Sequence, residues 1–241
     1  MNNREKTWPA DKRWYGRRRS RKLREGQKQL VDNLLPKYRV DLPIITKFKL
    51  DPTKLFNKAP NAIWMEIGFG FGEHLANLAK KNPHIGFIGC DPYINGIASL
   101  LTKISSSNIE NIRIFDDDVR LLIPYLPEAS IERLFILFAD PWPKYRHRYR
   151  RITVDENLSE FARILTNEGQ ILFATDQHAF AAWSLANILR EKKLEWTARR
   201  SRDWKQEPDD WMPTRYQIKA QDKGEKPLFI NLQRRPRTSD I

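Results

Sequence analysis
The stretch Ala62-Ile63-Trp64-Met65-Glu66-Ile67-Gly68-Phe69-Gly70-Phe71-Gly72 reads as a buried strand that breaks into a glycine-rich turn. Ala62–Ile67 is apolar enough for a core strand, and the residues from Gly72 to Lys81 return to a helical period. Glycines at alternate positions let the backbone turn tightly and approach a ligand without a Cβ clash. Glycines at a strand end also serve as plain turn chemistry, so the neighbouring segments decide the matter.

Working outward, strand-like and helix-like stretches alternate. Ile85–Cys90 reads as strand, Tyr93–Ser105 as helix, Ile112–Phe115 as strand and Val119–Leu126 as a short helix. Leu134–Ala139 reads as a fourth strand, Val154–Leu165 as helix, Gln170–Ala174 as a fifth strand and Ala179–Arg190 as helix. This pattern predicts an α/β domain with a mostly parallel sheet covered by helices on both faces. Leu194–Arg199 and Pro227–Leu232 complete seven strands as an antiparallel hairpin at the sheet edge. The predicted organisation is a basic N-terminal arm and connector (residues 1–56), the α/β domain (57–235) and a short tail (236–241). The first 28 residues read as loosely ordered, with Trp8, Trp14 and Tyr15 as local anchors.

Acids recur where these strands end. Glu66 closes the first, Asp91 the second, Asp116-Asp117-Asp118 the third, Asp140 the fourth and Asp176 the fifth. Open α/β sheets bind ligands at this rim. Each Asp alone could be a helix cap, and Asp116 and Asp117 read as solvated. Asp91, nineteen residues after Gly72, is placed to accept hydrogen bonds from ribose hydroxyls. An acidic cleft disfavours a nucleoside triphosphate, and no Gly-Lys-Ser/Thr loop is present to cradle phosphates. A dinucleotide stays open, although its fingerprint is Gly-x-Gly-x-x-Gly and the spacing here is Gly-x-Gly-x-Gly. S-adenosylmethionine fits better, since it has no phosphate, carries a sulfonium cation and offers an adenosine for Asp91 and Asp118.

Charge is segregated along the 241 residues, whose formal net charge is +13. Residues 1–28 hold eleven Lys or Arg against three acids, whereas Asn61–Asp140 holds ten acids against six bases. After Asp140-Pro141-Trp142-Pro143 the chain turns basic at once, with Lys144, Arg146, Arg148, Arg150 and Arg151 interleaved with Tyr145, His147 and Tyr149. Cations among aromatics suit phosphates and bases, so a polyanionic partner outside and a cationic or hydroxyl-rich ligand within are expected. No apolar run is long enough to span a bilayer, and no apolar segment follows the early basic residues as in a secretory signal. The lone Cys90 permits no intrachain disulfide and suggests a reducing cytoplasm. The four histidines lack metal-ligand spacing, so no metal is expected.

Taken in order, Glu66 through Gly72, Asp91, Asp118, Asp140-Pro141-Trp142, Lys144, Arg146–Arg151, Ala174-Thr175-Asp176 and Pro213-Thr214-Arg215 resemble the motifs of bacterial tRNA (guanine-N7-)-methyltransferases. The resemblance covers roughly residues 12–235 and implies a Rossmann-like class I methyltransferase fold. It implies that Glu66, Gly68, Gly70, Gly72, Asp91, Asp118 and Asp140 bind S-adenosylmethionine, with Asp140 also catalytic. It further implies substrate contacts from Lys144, Asp176, Thr214, Arg215, Tyr216 and Gln217, and RNA contacts from Arg146, His147, Arg148, Tyr149, Arg150 and Arg151. The implied reaction methylates N7 of the variable-loop guanine of tRNA, position 46 in the conventional tRNA count. Two positions depart from the pattern: Gln217 stands where the family usually has Glu, and Ala139-Asp140 replaces a common Pro-Asp.

Guanine N7 carries a free lone pair near neutral pH, so such a site needs alignment and electrostatics rather than a general base. On this reading Asp140 lies between cofactor and base, Asp176 accepts from guanine N1 and N2, and Lys144 holds a phosphate or O6. Trp142 is either a stacking surface or a wedge that shapes the loop. The alternatives are methylation of another acceptor (another RNA base, a protein or a small molecule), a non-catalytic RNA-binding protein on the same fold, and an NAD-dependent oxidoreductase. tRNA is the expected partner, with no membrane, no obligate protein partner evident and the oligomeric state open.

Overall fold
The computed structural model describes residues 16–43, 49–208, 211, 217 and 226–237. Two helices precede the sheet, α1 (Glu25–Asn33) and α2 (Leu35–Tyr38). Then follow β1 (Ala62–Ile67), α3 (Glu73–Lys81), β2 (Ile85–Cys90), α4 (Ile94–Ser107), β3 (Ile112–Phe115) and α5 (Val119–Leu122). After β4 (Ile131–Leu137) come α6 (Asp155–Ile164), β5 (Leu165–Thr175), α7 (His178–Ile188), β6 (Leu194–Trp196) and β7 (Leu228–Arg234).

The seven strands form one sheet in the order β3-β2-β1-β4-β5-β7-β6. The first five are parallel, and β7 runs antiparallel between β5 and β6, as the expected edge hairpin. Successive residues of a strand point to opposite faces, so an apolar run must be covered on both sides. Met65, Ile88, Leu134, Ile136 and Phe173 pack on one face with Leu122, Leu158, Phe161 and Phe180 from α5, α6 and α7. Phe87, Phe135, Leu137 and Leu172 pack on the other with Leu75, Leu78, Ile97 and Leu101 from α3 and α4. Each such fully buried side chain stabilises the fold by about 1.5–3 kcal/mol.

Helix boundaries follow local chemistry. α3 starts at Gly72 in the left-handed region, with Glu73 in its first turn and Lys80 and Lys81 in its last, each charge opposing the helix dipole. α4 stops at Asn108, whose φ of 49° is the left-handed conformation that ends helices. β4 begins earlier than expected, at Ile131, and stops before Phe138, where φ turns to 53° and lifts the chain out of the sheet.

The register levels the strand ends. Ile67 lies beside Cys90 and Ile136, Cys90 beside Phe115, and Leu137 beside Ala174. Residues just past these pairs therefore share one rim. The chain steps outward from β1 to β3 and then returns to β4 on the far side of β1, so a switch point opens between β1 and β4 at that rim.

Two features of the N-terminal region differ from a loose arm. Residues 18–21 are hydrogen-bonded to the start of α4: Ile94 N–H donates to Arg18 O (3.0 Å), Ser20 N–H to Asn95 Oδ1 (2.9 Å), and Asn95 Nδ2 to Arg21 O (2.7 Å). Further on, Arg39 makes a parallel bridge to Ile114, with Val40 N–H donating to Ile114 O at 2.8 Å, beside the sheet's β3 edge. Trp8, Trp14 and Tyr15 lie outside the described residues.

Candidate active site
Gly68, Gly70 and Gly72 have φ values of 73°, 56° and 74°, so each alternate position of the β1–α3 turn is left-handed. A Cβ at any of them would strain the turn, which explains the Gly-x-Gly-x-Gly spacing. Asp91, one residue past β2, fixes this turn: Oδ2 accepts the Gly70 N–H at 2.8 Å and Oδ1 the Tyr93 N–H at 2.9 Å. Gly96 completes the fit, because a Cβ there would lie 2.0 Å from Gly70 O.

The acids converge on this turn. Burial pushes the Asp91 carboxyl up to about 6; the Tyr93 and Gly70 amides pull the other way, and the charges of Glu66 and Asp140 push further up. Glu66 is buried, with Oε2 at 2.8 Å from His74 Nδ1 in the first turn of α3. Asp118 caps α5 through the Arg120 N–H (2.9 Å), and Arg120 grips both its oxygens, with Nη2 at 2.6 Å. Its carboxylate is thus already engaged by protein donors. Asp116 and Asp117 are not simply solvated: Asp116 pairs with Arg39 at 2.8 Å, and the buried Asp117 pairs with Arg18 at 3.1 Å.

Asp140 sits at the switch point, between Phe138 and Trp142, whose φ values of 53° and 42° set the turn after β4. One side of Asp140 is open to solvent, yet the protein around its carboxyl raises its pKa, opposed by the charge of Arg17. Asp176 is half-buried just past β5, where Thr175 Oγ1 accepts the Gln177 N–H at 3.1 Å.

The basic run folds into a 3-10 helix, Tyr145–Arg150, on the rim beside Asp140. Lys144, Tyr145, Arg146, Arg148 and Tyr149 are exposed. The Arg148 guanidinium lies 4.2 Å from the Tyr145 ring centre, and that of Arg150 lies 5.1 Å from Trp142 and 5.6 Å from Tyr149. Partial desolvation and the charges of Arg150, Arg146 and Lys144 hold the His147 imidazole below its usual pKa, so it is neutral at pH 7. Arg151 differs from the exposed cations expected of this run. It is buried, donates to the carbonyls of Pro141 (2.9 Å) and Trp142 (3.1 Å), and lies over Trp183 at 4.5 Å. A guanidinium that donates to two carbonyls bolts the Asp140 loop. Trp142, with Arg150 over its face and His147 at its edge (5.9 Å), is part of the loop's own packing.

Thr214, Arg215 and Tyr216 lie outside the described residues. Gln217 is fully buried; its Oε1 accepts from Trp211 Nε1 at 2.6 Å, and its Nε2 donates to Glu207. His74, Arg151's bolt and the Arg18–Asp117 pair were not apparent from local pattern. The only signal for His74 was a polar residue on the buried face of α3, next to Leu75 and one turn before Leu78.

Taken together, a left-handed glycine turn, carboxylates at successive strand ends and a seven-stranded sheet with an inserted antiparallel strand define a Rossmann-like S-adenosylmethionine-dependent methyltransferase. The residues suit that cofactor: three glycines of the turn carry no Cβ, the rim is anionic toward a sulfonium, and each Asp91 oxygen retains a second lone pair for a hydroxyl. A family model described as "Putative methyltransferase" matches residues 60–229. The chain is 39% identical over 231 residues to a tRNA (guanine-N(7)-)-methyltransferase of Rhodospirillum rubrum, covering 95% of this chain and 91% of the relative. It is 42% identical over 229 residues to the Paramagnetospirillum magneticum enzyme of that name, covering 93% and 94%. Among solved structures, a 16S rRNA methyltransferase, KamB, superposes with a TM-score of 0.56 at 14% identity, covering 73% of this chain and 89% of that one. An antibiotic-related methyltransferase gives 0.50 at 17% identity, covering 82% and 97%. The chain belongs to the tRNA (guanine-N(7)-)-methyltransferase family.

Proposed function
We propose that this chain transfers the methyl group of S-adenosylmethionine to N7 of the variable-loop guanine of tRNA. The observation that carries the reading is the position of Asp140: a partly open carboxylate at the β1/β4 switch point, with the acidic cleft on one side and the exposed cations of the 3-10 helix on the other.

Glu66 and Asp91 face the cofactor, and the Asp118–Arg120 pair forms the neighbouring wall. The cofactor supplies an electrophilic methyl on a sulfonium. Guanine N7 is already a nucleophile, so the protein's task is to align it and to stabilise charge. Asp140 orients base and cofactor across the switch point. Asp176 accepts from the guanine N1 and N2 donors, and Lys144 holds a phosphate or O6. Arg146, Arg148 and Arg150 track the tRNA backbone, with Tyr145 and Tyr149 offering aromatic faces to unstacked bases. Thr214, Arg215 and Tyr216 belong to the same substrate side by resemblance.

The working compartment is the cytoplasm, where tRNA resides. Cys90 is buried there as an inert thiol, its pKa raised well above the usual value by burial and by Asp118 and Asp91. Among the described residues no helix is long and apolar enough to cross a membrane.

The test is to incubate the protein with unmodified tRNA and labelled S-adenosylmethionine and to map chain cleavage at N7-methylguanosine. A single cut at the variable-loop guanine is expected. Label on another base, or none, overturns the reading.

A further inference from the structure
We propose that Gln217 and His74 are positioning residues that hold the Glu66 carboxylate in the cofactor cleft through a buried relay, Glu207–Gln217–Trp211–His74–Glu66. The proposal rests on Glu66 facing the cofactor. It gives Gln217 a role other than substrate contact.

The relay can be followed atom by atom. Glu207 accepts from Gln217 Nε2, and Gln217 Oε1 accepts from Trp211 Nε1 at 2.6 Å. The Trp211 ring packs at 5.5 Å on the His74 ring, which is backed from β4 by Phe135 at 5.1 Å. His74 Nδ1 then meets Glu66 Oε2 at 2.8 Å. Trp211 also packs on Phe229 at 4.9 Å and on Phe138 at 6.4 Å, and Phe138 opens the turn that carries Asp140. One indole thus braces both the cofactor glutamate and the Asp140 loop. His74, Glu66, Trp211 and Gln217 are all buried.

The chemistry requires an amide at 217. An indole N–H only donates, so residue 217 must turn an acceptor toward Trp211. An ionised carboxylate only accepts, so the same residue must turn a donor toward Glu207. A glutamine does both. A glutamate would still accept from Trp211 but would set a buried carboxylate against Glu207, with desolvation and repulsion acting together. Trp211 would shift, His74 would lose its backing, and the buried Glu66 would lose its partner. A fully buried amide spent on two protein groups is also not available to an RNA base.

The experiment measures S-adenosylmethionine affinity by calorimetry without tRNA, alongside KM for tRNA and the thermal midpoint, for Q217E, E207Q/Q217E, H74F and E66Q. Q217E should weaken cofactor binding about tenfold. The gap to the parent protein should narrow as pH falls and the introduced carboxyl takes up a proton. E207Q/Q217E should recover most of the affinity, because a glutamine at 207 donates where Glu207 accepted; this holds the test open even if Q217E folds poorly. H74F keeps the ring packing but leaves the buried Glu66 without its partner, so it should lose cofactor affinity together with some thermal stability. Unchanged cofactor affinity in Q217E and H74F, with only the KM for tRNA altered, overturns the relay. Unchanged affinity in E66Q instead removes Glu66 from the cofactor site, a failure distinguishable from that of the relay alone.

Discussion
The Asp91 carboxylate holds the Gly70 amide at 2.8 Å, so a residue at the end of β2 sets the conformation of the turn after β1. The same carboxyl is raised to about 6 from an ordinary 3.8. The folded protein therefore binds this proton more tightly than the unfolded chain. Stability associated with the group is complete below pH about 4 and is lost as pH rises through about 6. Urea unfolding of the cofactor-free protein should show this slope, worth up to roughly 3 kcal/mol, and D91N should remove it. Cofactor affinity should move the opposite way, strengthening as Asp91 ionises. A pH slope identical in D91N and the parent protein would refute the assignment.

Asp140→Ala should lower kcat for tRNA methylation by at least about a hundredfold, on the scale of a lost transition-state contact. The thermal midpoint should stay within a few degrees, since the side chain is open to solvent on one side. Near-normal turnover in single-turnover assays would remove Asp140 from the reaction.

The arginines of the 3-10 helix should separate by role. Replacing Arg146, Arg148 and Arg150 with Ala should weaken tRNA binding and reduce the salt slope by about 0.7–0.9 per lost phosphate contact. Cofactor affinity should hardly change. Arg151→Ala should instead lower stability and kcat, because the carbonyls of Pro141 and Trp142 lose their donor, while the salt slope stays at its parent value. Filter binding across a salt series, with kinetics beside it, checks both.

Gly96→Ala should push the Gly70 carbonyl out of place, since the added methyl would lie 2.0 Å from it. A loss of about 1–3 kcal/mol in stability is expected, with a matching drop in cofactor affinity. Calorimetry showing parent-like binding would mean that α4 can yield without moving the turn.

The alternation of strands and helices is legible in the sequence because the sheet is covered on both faces, so its central strands carry continuous apolar stretches such as Ile85–Cys90 and Leu134–Leu137. The rim acids are legible for a related reason: Asp91 and Asp140 follow those runs directly. Arg151 is not, because five neighbouring residues of like type give no local sign of which one turns inward. Nor is the buried Asp117, whose ion-pair partner Arg18 lies ninety-nine residues earlier in the chain. The link between Gln217 and His74 is hidden for the same reason, since the two meet through Trp211 only once α3 and the late segment have packed.

The bridge from Arg39 to Ile114 has a consequence for the protein's behaviour among its own copies. Sheet edges with unpaired amides invite polymerisation by strand addition. Here one outer strand, β3, is four residues long and has the Arg39–Val40 segment laid beside it, and the other, β6, is only three. Among the described residues, neither border offers a second molecule a long uncovered template. For a chain with a net charge of +13, drawn toward polyanions, short and partly covered edges close one route, strand-to-strand pairing, by which crowded copies could join.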